Sequence, residues 1–581
     1  MSSLLCCFGS KPKPKPSTPD TPAPDPSSLL TTFLTSPAQA LQTQLESQLQ
    51  AHPSTIIPLL KASSSAIPTT PPPPTTSSLS PLPPLVPPPL TDADADWANS
   101  IGEQRCTPLQ KTKPATLQAL IAIINDARSK SLRVRAIGSG HAFSSVARTD
   151  GAVLVNPVLL NDVRAVDATV LKNGVIKPGK TLLRVQAGIT TRALKLELGN
   201  RGLALPNQGG YDGQTVSGTL ATGTHGSGIT WGPLASMARA IVVVTEMGEV
   251  VQVESGEGIT SVWGGTVDGV PAKLRQEGEV WRALLTGMGC FGVVYEFVLE
   301  VVDAFKIKEV RSSTTWEEVR KELVPELWKP VAPLVGGVDH FELVLNPYTR
   351  WFRNACVKVE RTRVPQSTKS EGQRQDWLEV LLEQVAIQKA PELVAFLTKI
   401  PFVSPLVIDQ AIMTLVYDGP YVDNSYNIFS LGAANEIKGM ALELHCDATQ
   451  CVPTIDKLLK VFQEQALKYM WYMAGPLGIR FVAASDAYLA PQAGRMTCTI
   501  ELAMLVGLKT GKDLAKQVKE RMCTNESTSV RVHWGLDLDF VTAQDVRAWY
   551  PNFEKWHDVY RDFNSTGMFN NKFTDRLGIS V

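Results

Sequence analysis

Two glycine-rich segments, each carrying a histidine, hold the residues best suited to chemistry in this chain. The first reads Gly138-Ser139-Gly140-His141-Ala142-Phe143-Ser144, and the second runs from Gly209 to Gly228 as GGYDGQTVSGTLATGTHGSG. Segments so rich in Gly, Ser and Thr let the backbone approach a ligand closely and point several N–H groups in one direction. The pattern is typical of loops that hold a pyrophosphate, and it predicts that both histidines lie beside the ligand.

A literal GxGxxG also occurs, as Gly287-Met-Gly289-Cys-Phe-Gly292. The dinucleotide-binding version of this motif needs a strand before it and a helix after it, so that the phosphate meets a helix N-terminus. Here a helix-like segment precedes the motif and a strand-like apolar segment follows it. The sequence therefore argues against a Rossmann fold, and no Gly-Lys-Ser/Thr follows a glycine loop as a P-loop requires.

The elements around these segments mix short helices and strands. Apolar spacing predicts a helix over 116–130 and another over 190–199, and strands over 132–137, 152–155, 182–187, 238–245, 250–253 and 292–302. The strands over 238–245 and 250–253 are expected to pair. Residues 371–415 are expected to be largely helical. This mixture favours an α+β fold over a regular succession of parallel βαβ units.

Composition narrows the function classes. Lys+Arg and Asp+Glu both number 56, so the formal net charge is zero, which argues against nucleic acid as the main partner. The nine cysteines form no CxxC pair, which favours free thiols in a reducing compartment and gives no metal site. No apolar run of 18 residues occurs, so no transmembrane helix is expected.

The first 95 residues differ from the rest, because they hold 21 of the 41 prolines. Such a segment cannot bury much apolar surface and is predicted to be a disordered tail, with a short helix near residues 36–50. Cys6 and Cys7, beside a Lys-Pro run, are candidates for palmitate and a peripheral membrane contact, whereas an inert tail is the favoured reading. We expect an intracellular protein, cytoplasmic or peripherally membrane-associated.

Together these motifs resemble the vanillyl-alcohol oxidase superfamily, whose FAD-binding domain is called PCMH-type, and within it the sugar-lactone and alditol oxidase branch. The resemblance rests on Arg135 through Ser144, on Gln214 through Gly228, on Gly289 through Val294, on His533-Trp534, and on the tail from Gly567 to Gly578. It implies a two-subdomain FAD-binding domain over 96–305 and an α+β substrate (cap) domain over 306–581, after the tail of residues 1–95.

The resemblance also implies a cofactor site. His141 matches the histidine that bonds covalently to the flavin, and a single link is expected because the second segment has no cysteine. The amides of residues 138–144 are expected to hold the pyrophosphate. His225 is expected to make a polar contact to the cofactor, with a catalytic role as the alternative. The other expected FAD contacts are Thr215, Val216, Ser217, Gly218, Thr222, Gly223 and Thr224 along the flavin, and Gly287, Gly292 and Val293 near the adenine.

On the substrate side, the branch carries a Glu-x-Arg pair on a strand facing the flavin and a lysine in its His-Trp tail. Here Arg480 matches the arginine, but Gly478 stands in place of the glutamate and Leu536 in place of the lysine. Arg480, His533 and Thr215 are the predicted catalytic residues. Alternatively the strand is misaligned, and another carboxylate takes the place of the glutamate, with Glu443, Asp486 and Glu501 as candidates. His340 and His445 look like isolated structural histidines.

The resemblance implies an FAD-dependent oxidoreductase that transfers a hydride from a CH–OH group of a small alcohol or lactone to flavin N5, with O2 or another electron acceptor. Losing two charged groups predicts a bulkier or less polar substrate than a sugar lactone. Two alternatives stay open. One is a flavin-binding protein that has lost catalysis and serves an interaction role, and the other is a peripheral membrane protein whose proline runs recruit SH3-like partners. The oligomeric state is not predicted.

Overall fold

The computed structural model describes residues 96–323, 338–349, 353–372, 390–413, 415–416, 419–430, 439–523 and 530–581. Cys6, Cys7, the rest of the first 95 residues and the helix expected near 36–50 lie outside the described residues. So does the stretch 373–389 of the expected helical region. The two helices that follow it, over 390–399 and 404–413, agree with that expectation.

The first elements build a small parallel sheet that leads into the first glycine segment. Thr116 caps the expected helix, accepting a hydrogen bond from the Ala119 N–H at 3.1 Å. The sheet has the strand order β3-β5-β4, and β4 ends two residues before Gly138. In chain order the elements are β1 (Trp97–Ala98), β2 (Arg105–Cys106), β3 (Gln110–Thr112), α1 (Leu117–Ser129), β4 (Val134–Ala136) and β5 (Val153–Val155).

A second sheet carries the segments around the second glycine segment. Its order is β11-β12-β10-β9-β13-β7-β6, with β8 on β13, and β9 pairs with β10 in antiparallel register as the sequence predicted. The elements are β6 (Val163–Ala165), β7 (Lys180–Gln186), α2 (Thr191–Asn200), β8 (Leu203–Ala204), α3 (Val216–Thr222), β9 (Ala238–Val244), β10 (Val250–Glu254), β11 (Thr266–Val267), β12 (Val270–Gln276), α4 (Gly278–Leu284) and β13 (Val293–Asp303).

The third sheet has eight strands within the described ranges, in the order β17-β14-β16-β15-β19-β20-β18-β21. Its elements and helices are β14 (Phe305–Thr315), α5 (Trp316–Glu322), β15 (His340–Leu345), β16 (Ala355–Pro365), α6 (Ala390–Lys399), α7 (Ser404–Met413), β17 (Tyr421–Asn424), α8 (Ser425–Phe429), β18 (Gly439–Asp447), α9 (Cys451–Tyr469), β19 (Leu477–Val482), β20 (Thr497–Leu505), α10 (Lys509–Met522), β21 (Arg531–Val532), α11 (Ala543–Trp549), α12 (Phe553–Phe563) and α13 (Lys572–Arg576).

The strands of this sheet alternate between an apolar and a polar face. On β18, Leu442, Leu444 and Cys446 belong to the hydrophobic core that also includes the buried face of α9. Glu443 and His445 alternate with them and therefore lie on the opposite face. All five side chains are buried, so a second layer of chain must cover the polar face.

One local prediction was incomplete, because the second glycine segment is not all loop. It contains the two-turn helix α3, which the Gly-rich composition concealed. The Thr215 hydroxyl caps it by accepting from the Gly218 N–H at 3.3 Å, and Gly223 ends it with φ 79°. The context of the literal GxGxxG is as predicted, with α4 before it and β13 after it.

The described ranges contain no helix with the length and apolar character needed to cross a bilayer. The seven cysteines in those ranges are free and buried, as expected for reduced thiols.

Candidate functional site

The two glycine segments meet. A Cβ added at Gly138 would lie only 2.1 Å from Thr215 Oγ1, so the Thr215 side chain approaches the Gly138 backbone as closely as a glycine allows. His141 reaches the second segment through a 2.7 Å hydrogen bond between its Nε2 and the Tyr211 hydroxyl. Chain segments about 70 residues apart therefore form one surface.

The first glycine segment is hydrogen-bonded to residues 99–100 and to the C-terminal part of the chain. Ser100 N–H donates to Gly140 O at 2.8 Å, and Asn99 Nδ2 donates to Ala142 O at 2.9 Å. Phe143 N–H donates to Gly535 O at 2.8 Å, and Ser144 Oγ donates to Trp534 O at 2.7 Å. His533-Trp534 thus lies against the first glycine segment, and residues 138–143, Ser139 among them, stay half-buried.

The segment from Gly287 to Val293 closes the same region from another direction. Met288 N–H donates to Ala221 O in helix α3 at 3.0 Å. Gly292 has φ 126°, and a Cβ there would lie 2.4 Å from Val244 O, so only glycine fits. The Arg135 guanidinium donates to the Gly289 carbonyl at 3.3 Å and ties this segment to β4.

Buried polar atoms without partners cluster around the second segment. A Cβ at Gly226 would lie 2.1 Å from Asn207 Oδ1, and a Cβ at Gly223 would lie 3.8 Å from Thr286 Cγ2. Within the described part of the chain, no hydrogen-bond partner is found for either amide atom of Asn207, for Gln208 Nε2, for Thr224 Oγ1 or for Thr286 Oγ1. Since buried polar groups are almost always paired, this donor and acceptor set fits a polar cofactor such as FAD.

Not every predicted flavin contact is available to a ligand through its side chain. Val216 is in the core, Ser217 Oγ donates to Ala187 O at 2.7 Å, and Thr222 Oγ1 donates to Gly218 O at 2.9 Å. Thr215, predicted to be catalytic, uses its hydroxyl as the cap of α3. These residues can therefore offer a ligand only their backbone groups. The Thr224 hydroxyl, by contrast, has no hydrogen-bond partner among the described residues.

Burial lowers the pKa of His141 to about 4. The ring is therefore neutral at neutral pH and keeps a nitrogen lone pair. Among the described residues only Tyr211 bonds the ring, at Nε2, and no hydrogen bond involves Nδ1. A neutral imidazole with one free nitrogen is a competent nucleophile.

The polar face of the third sheet forms two rows across four strands. Direct partners in antiparallel strands share a face, so register alone sets the rows. One row is Val344, Gly478, Glu501 and Glu443, and the other is Glu342, Arg480, Thr499 and His445.

Arg480 lies between two carboxylates of these rows. Its Nη2 lies 2.8 Å from Glu342 Oε1, and its Nη1 lies 2.8 Å from Glu501 Oε2. Burial alone lowers the pKa of the guanidinium, but Glu342 and Glu501 outweigh burial and raise it, so Arg480 is always charged. The predicted catalytic arginine is therefore fixed in place, and the Glu342 partner had no signal in the sequence.

His533 is neutral and has a defined tautomer. Its Nδ1 accepts a hydrogen bond from the Gly535 N–H at 3.0 Å, so the ring proton is on Nε2. Burial lowers the pKa of His533 to about 3. Its ring lies 6.2 Å from that of His225 and 6.0 Å from that of His445. His533 can donate a hydrogen bond to a ligand but cannot act as a base there.

The two histidines expected to be isolated differ from each other. His445 is not isolated, because its Nε2 bonds Glu443 Oε2 at 3.2 Å. The cross-strand row places it beside Thr499, a relation that the sequence could not show. His340 is fully buried against Phe429, and both of its ring nitrogens lack a partner.

The burial of the His340 ring predicts part of the loss of folding stability at acid pH. Burial, and then the nearby Arg363 and Arg361, hold the pKa of His340 well below its usual value. As pH falls below about 6.5, the unfolded chain gains a proton that the folded chain refuses, which costs up to about 1.4 kcal/mol of stability per pH unit. We expect His340→Leu to shrink the loss of urea midpoint between pH 7 and pH 5. An unchanged loss would contradict this assignment.

Two family models match the chain. The family model described as FAD binding domain matches residues 108–254, and the one described as D-arabinono-1,4-lactone oxidase matches residues 298–577. The chain belongs to the vanillyl-alcohol oxidase superfamily, in its lactone and alditol oxidase branch. It is an FAD-dependent oxidoreductase of CH–OH groups.

Relatives of this branch align over most of the chain. L-gulono-1,4-lactone dehydrogenase of Mycobacterium tuberculosis is 25% identical and covers 83% of this chain and 98% of its own length. Alditol oxidase of a Streptomyces species is 24% identical with the same coverage. Among solved structures, cholesterol oxidase from B. sterolicum has a TM-score of 0.61 at 14% identity, covering 83% of this chain and 96% of its own, which confirms the PCMH-type α+β fold.

The structure resolves the missing glutamate of the branch. Gly478 and Glu501 are direct cross-strand partners, and a Cβ at Gly478 would lie 3.7 Å from Glu501 Oε2 and 3.6 Å from Arg480 Nη2. A carboxylate therefore does stand beside the arginine, supplied by β20 and not by β19. Of the candidate carboxylates, Glu501 lies beside Arg480, whereas Glu443 pairs with histidines.

Proposed function

We propose that this enzyme binds a hydroxylated lactone or polyol through Arg480, Glu501 and His533, and that its pocket admits a bulkier substituent than a sugar lactone carries. The proposal rests mainly on the Glu342–Arg480–Glu501 chain, whose Glu501 side chain is the most exposed of the three, at 31% against 20% for Arg480 and 15% for Glu342. A half-buried carboxylate beside an oriented guanidinium suits the recognition of hydroxyl groups. The names of the relatives support the same class of substrate.

The flavin would be held by the backbone of residues 138–144 and by the unpartnered atoms of Asn207, Gln208 and Thr224. When bound, FAD would supply the hydride acceptor for the CH–OH carbon of the substrate. Arg480 stabilises negative charge that develops on the substrate oxygen, and His533 donates a hydrogen bond from its Nε2. The Glu501 carboxylate accepts the hydroxyl proton, because it is the more exposed of the two carboxylates beside the guanidinium.

The space for the larger substituent arises at two positions. Gly478 has no side chain, and the nearest atoms to its absent Cβ are 3.6 Å away or more. Leu536 presents a half-buried apolar side chain next to the histidine tail. A pocket with a carboxylate on one side and apolar space on the other suits a substrate with one hydroxylated end.

Moving the carboxylate from position 501 to position 478, where the resemblance expects it, tests the role proposed for Glu501. Glu501→Ala should lower kcat/KM for hydroxylated donors by about 10²-fold, because the proton acceptor is lost. Gly478→Glu, added to Glu501→Ala, should recover part of this loss for small polyols and lower activity with bulky alcohols. Gly478→Ala alone is the control, since a Cβ fits in ordinary contact. The assignment would be refuted if Glu501→Ala kept full activity and the double variant were no more active than it.

We further propose that His141 Nδ1 bonds covalently to the 8α-methyl carbon of FAD. The neutral ring, its free Nδ1 and the Tyr211 hydroxyl that orients Nε2 support this bond. Forming the bond releases a methyl proton and leaves two electrons on the ring system, which the enzyme's acceptor removes. Air alone should support turnover if that acceptor is O2, and turnover only with an added dye would assign a dehydrogenase instead.

Acid precipitation tests the covalent bond. We expect the yellow colour of the wild-type protein to stay with the precipitate and that of His141→Ala to remain in the supernatant. Tyr211→Phe keeps the ring but loses the hydroxyl, so its covalent flavin should form more slowly. Colour released from the wild-type protein would contradict the covalent bond and leave the FAD assignment intact.

A further inference from the structure

A buried charge cluster lies where the second glycine segment covers the polar sheet face. His225, from that segment, is 7% exposed and meets Glu443 of β18, which is 3% exposed. Its Nε2 lies 3.1 Å from Glu443 Oε1, and the other carboxylate oxygen lies 3.2 Å from His445 Nε2. The mechanism above uses neither His225 nor Glu443.

Hydrogen-bond partners fix the number of protons on each ring. His225 Nδ1 lies 3.0 Å from the Gly226 carbonyl oxygen, which can only accept, so Nδ1 carries a proton. A neutral His225 would then direct the lone pair of Nε2 at a carboxylate, which is repulsive. The contact to an ionised Glu443 is attractive only if Nε2 is protonated as well, and the alternative is a protonated Glu443 that donates to a neutral His225.

The two neighbouring histidines do not need this charge. His445 Nδ1 accepts from the Gln492 side-chain amide at 3.4 Å, so a neutral ring can donate from Nε2 to Glu443. His533 Nδ1 accepts from the Gly535 N–H. With Glu443 ionised, one ring of the three is therefore doubly protonated.

We propose that His225 is an imidazolium ion paired with the Glu443 carboxylate, and that this pair directs its positive end at the cofactor loop. The other groups that face the ring are His445 of β18, His533 after β21 and Arg480 of β19. Burial lowers the pKa of His225, but the charge and hydrogen bond of Glu443 outweigh it and raise the pKa, with Arg480 opposing. The pKa of Glu443 is in turn held well below its usual value, because His225 and His445 outweigh its burial.

A fixed positive charge stabilises electron density that arrives nearby. The part of the inference that concerns the flavin rests on the proposed cofactor site, whereas the proton count does not. With FAD bound along residues 222–225, the charge would favour the reduced cofactor and raise its midpoint potential. His225 is thus a positioning and electrostatic residue, with no contact to substrate assigned to it.

A divalent cation is the competing explanation. The ligand atoms of His225, Glu443 and His445 lie within 4.8 Å of one another. However, the two imidazoles meet different oxygens of one carboxylate at ordinary hydrogen-bond distances. A proton in each of the two Nε2–carboxylate contacts satisfies all four atoms involved, so we assign hydrogen bonds here and not a metal ion.

The test labels the imidazole nitrogens of the full-length holoenzyme with ¹⁵N and reads their protonation by NMR. His225→Asn identifies the signal among the seven histidines. We expect both ring nitrogens of His225 to be protonated at pH 7.5, and Glu443→Gln to remove the Nε2 proton. His445→Gln is the matched control, since it keeps a donor to Glu443 and should leave the His225 proton in place.

Two further measurements complete the test. The midpoint potential of bound FAD should shift downward in Glu443→Gln and not in His445→Gln. A neutral His225 in the wild-type protein, or one equivalent of divalent metal in the purified protein, would overturn the proton assignment even if Glu443→Gln fails to fold. A charged His225 with an unchanged potential would overturn the electrostatic role. Protein purified without FAD would instead count against the proposed function, since the proton reading does not require the cofactor.

Discussion

Gly138→Ala is expected to purify without FAD. The new methyl carbon would lie 2.1 Å from Thr215 Oγ1 and 3.2 Å from the Thr215 Cβ, and neither atom belongs to a flexible side-chain end. The two glycine segments must then separate, at a cost of about 1–3 kcal/mol for the strain alone. Separation also displaces the cap of helix α3, so the surface that holds the cofactor is lost.

Flavin absorbance per polypeptide measures this effect, and circular dichroism shows whether the fold survives. Gly264→Ala is the matched control, because no atom lies within 4 Å of its added Cβ and its φ is ordinary. We expect the control to keep full flavin content. Normal flavin content in Gly138→Ala would mean that the segments do not enclose the cofactor together.

Arg480→Met should lower the rate of flavin reduction by the donor by about 10³-fold, which is the effect of losing a preorganised charge at a reacting oxygen. It also leaves Glu342 and Glu501 without the cation between them. Removing one partner of a partly buried ion pair costs less than the roughly 3–5 kcal/mol of a fully buried one, but a lower melting temperature is expected too. Anaerobic stopped-flow absorbance reports the rate independently of the acceptor.

Arg311→Met separates the two effects. Arg311 is an arginine on the same sheet face, and its Nη2 lies 2.9 Å from Glu309 Oε1. We expect it to lose stability but to keep the rate of flavin reduction within about threefold, since it is not at the reacting oxygen. Arg480→Lys keeps the charge but not the forked geometry and should fall between the two. Equal rates in Arg480→Met and the wild-type enzyme would remove Arg480 from the mechanism.

Local chemistry made the elements around the glycine segments predictable from the sequence. Glycine density and the order of helix and strand around Gly287–Gly292 are short-range signals, and the element order of the structure agrees with them. The ends of α1 and α2 differ from the predicted ends by one residue, which is the usual uncertainty of a helix terminus.

The substrate side was predictable only in part, because strand register decides it. Residue types suggested Arg480, but nothing in the sequence indicated that Gly478 pairs with Glu501 or that Glu342 faces the guanidinium. A one-residue slip would turn each of these side chains to the other face. His445 likewise looked isolated. The strand that places Glu443 on the same face was not predicted, and His225 comes from a distant segment of the chain.

The hydrogen bond from Ser144 to the Trp534 carbonyl has a consequence for biosynthesis. Its two residues are 390 positions apart, so a ribosome adds most of the enzyme after the first glycine segment has emerged. Until then the hydroxyl of Ser144 and the amide of Phe143 have no acceptor from this part of the chain. Capture of the yellow cofactor should therefore follow translation of the His-Trp tail, and nascent chains that stop short of it should emerge colourless.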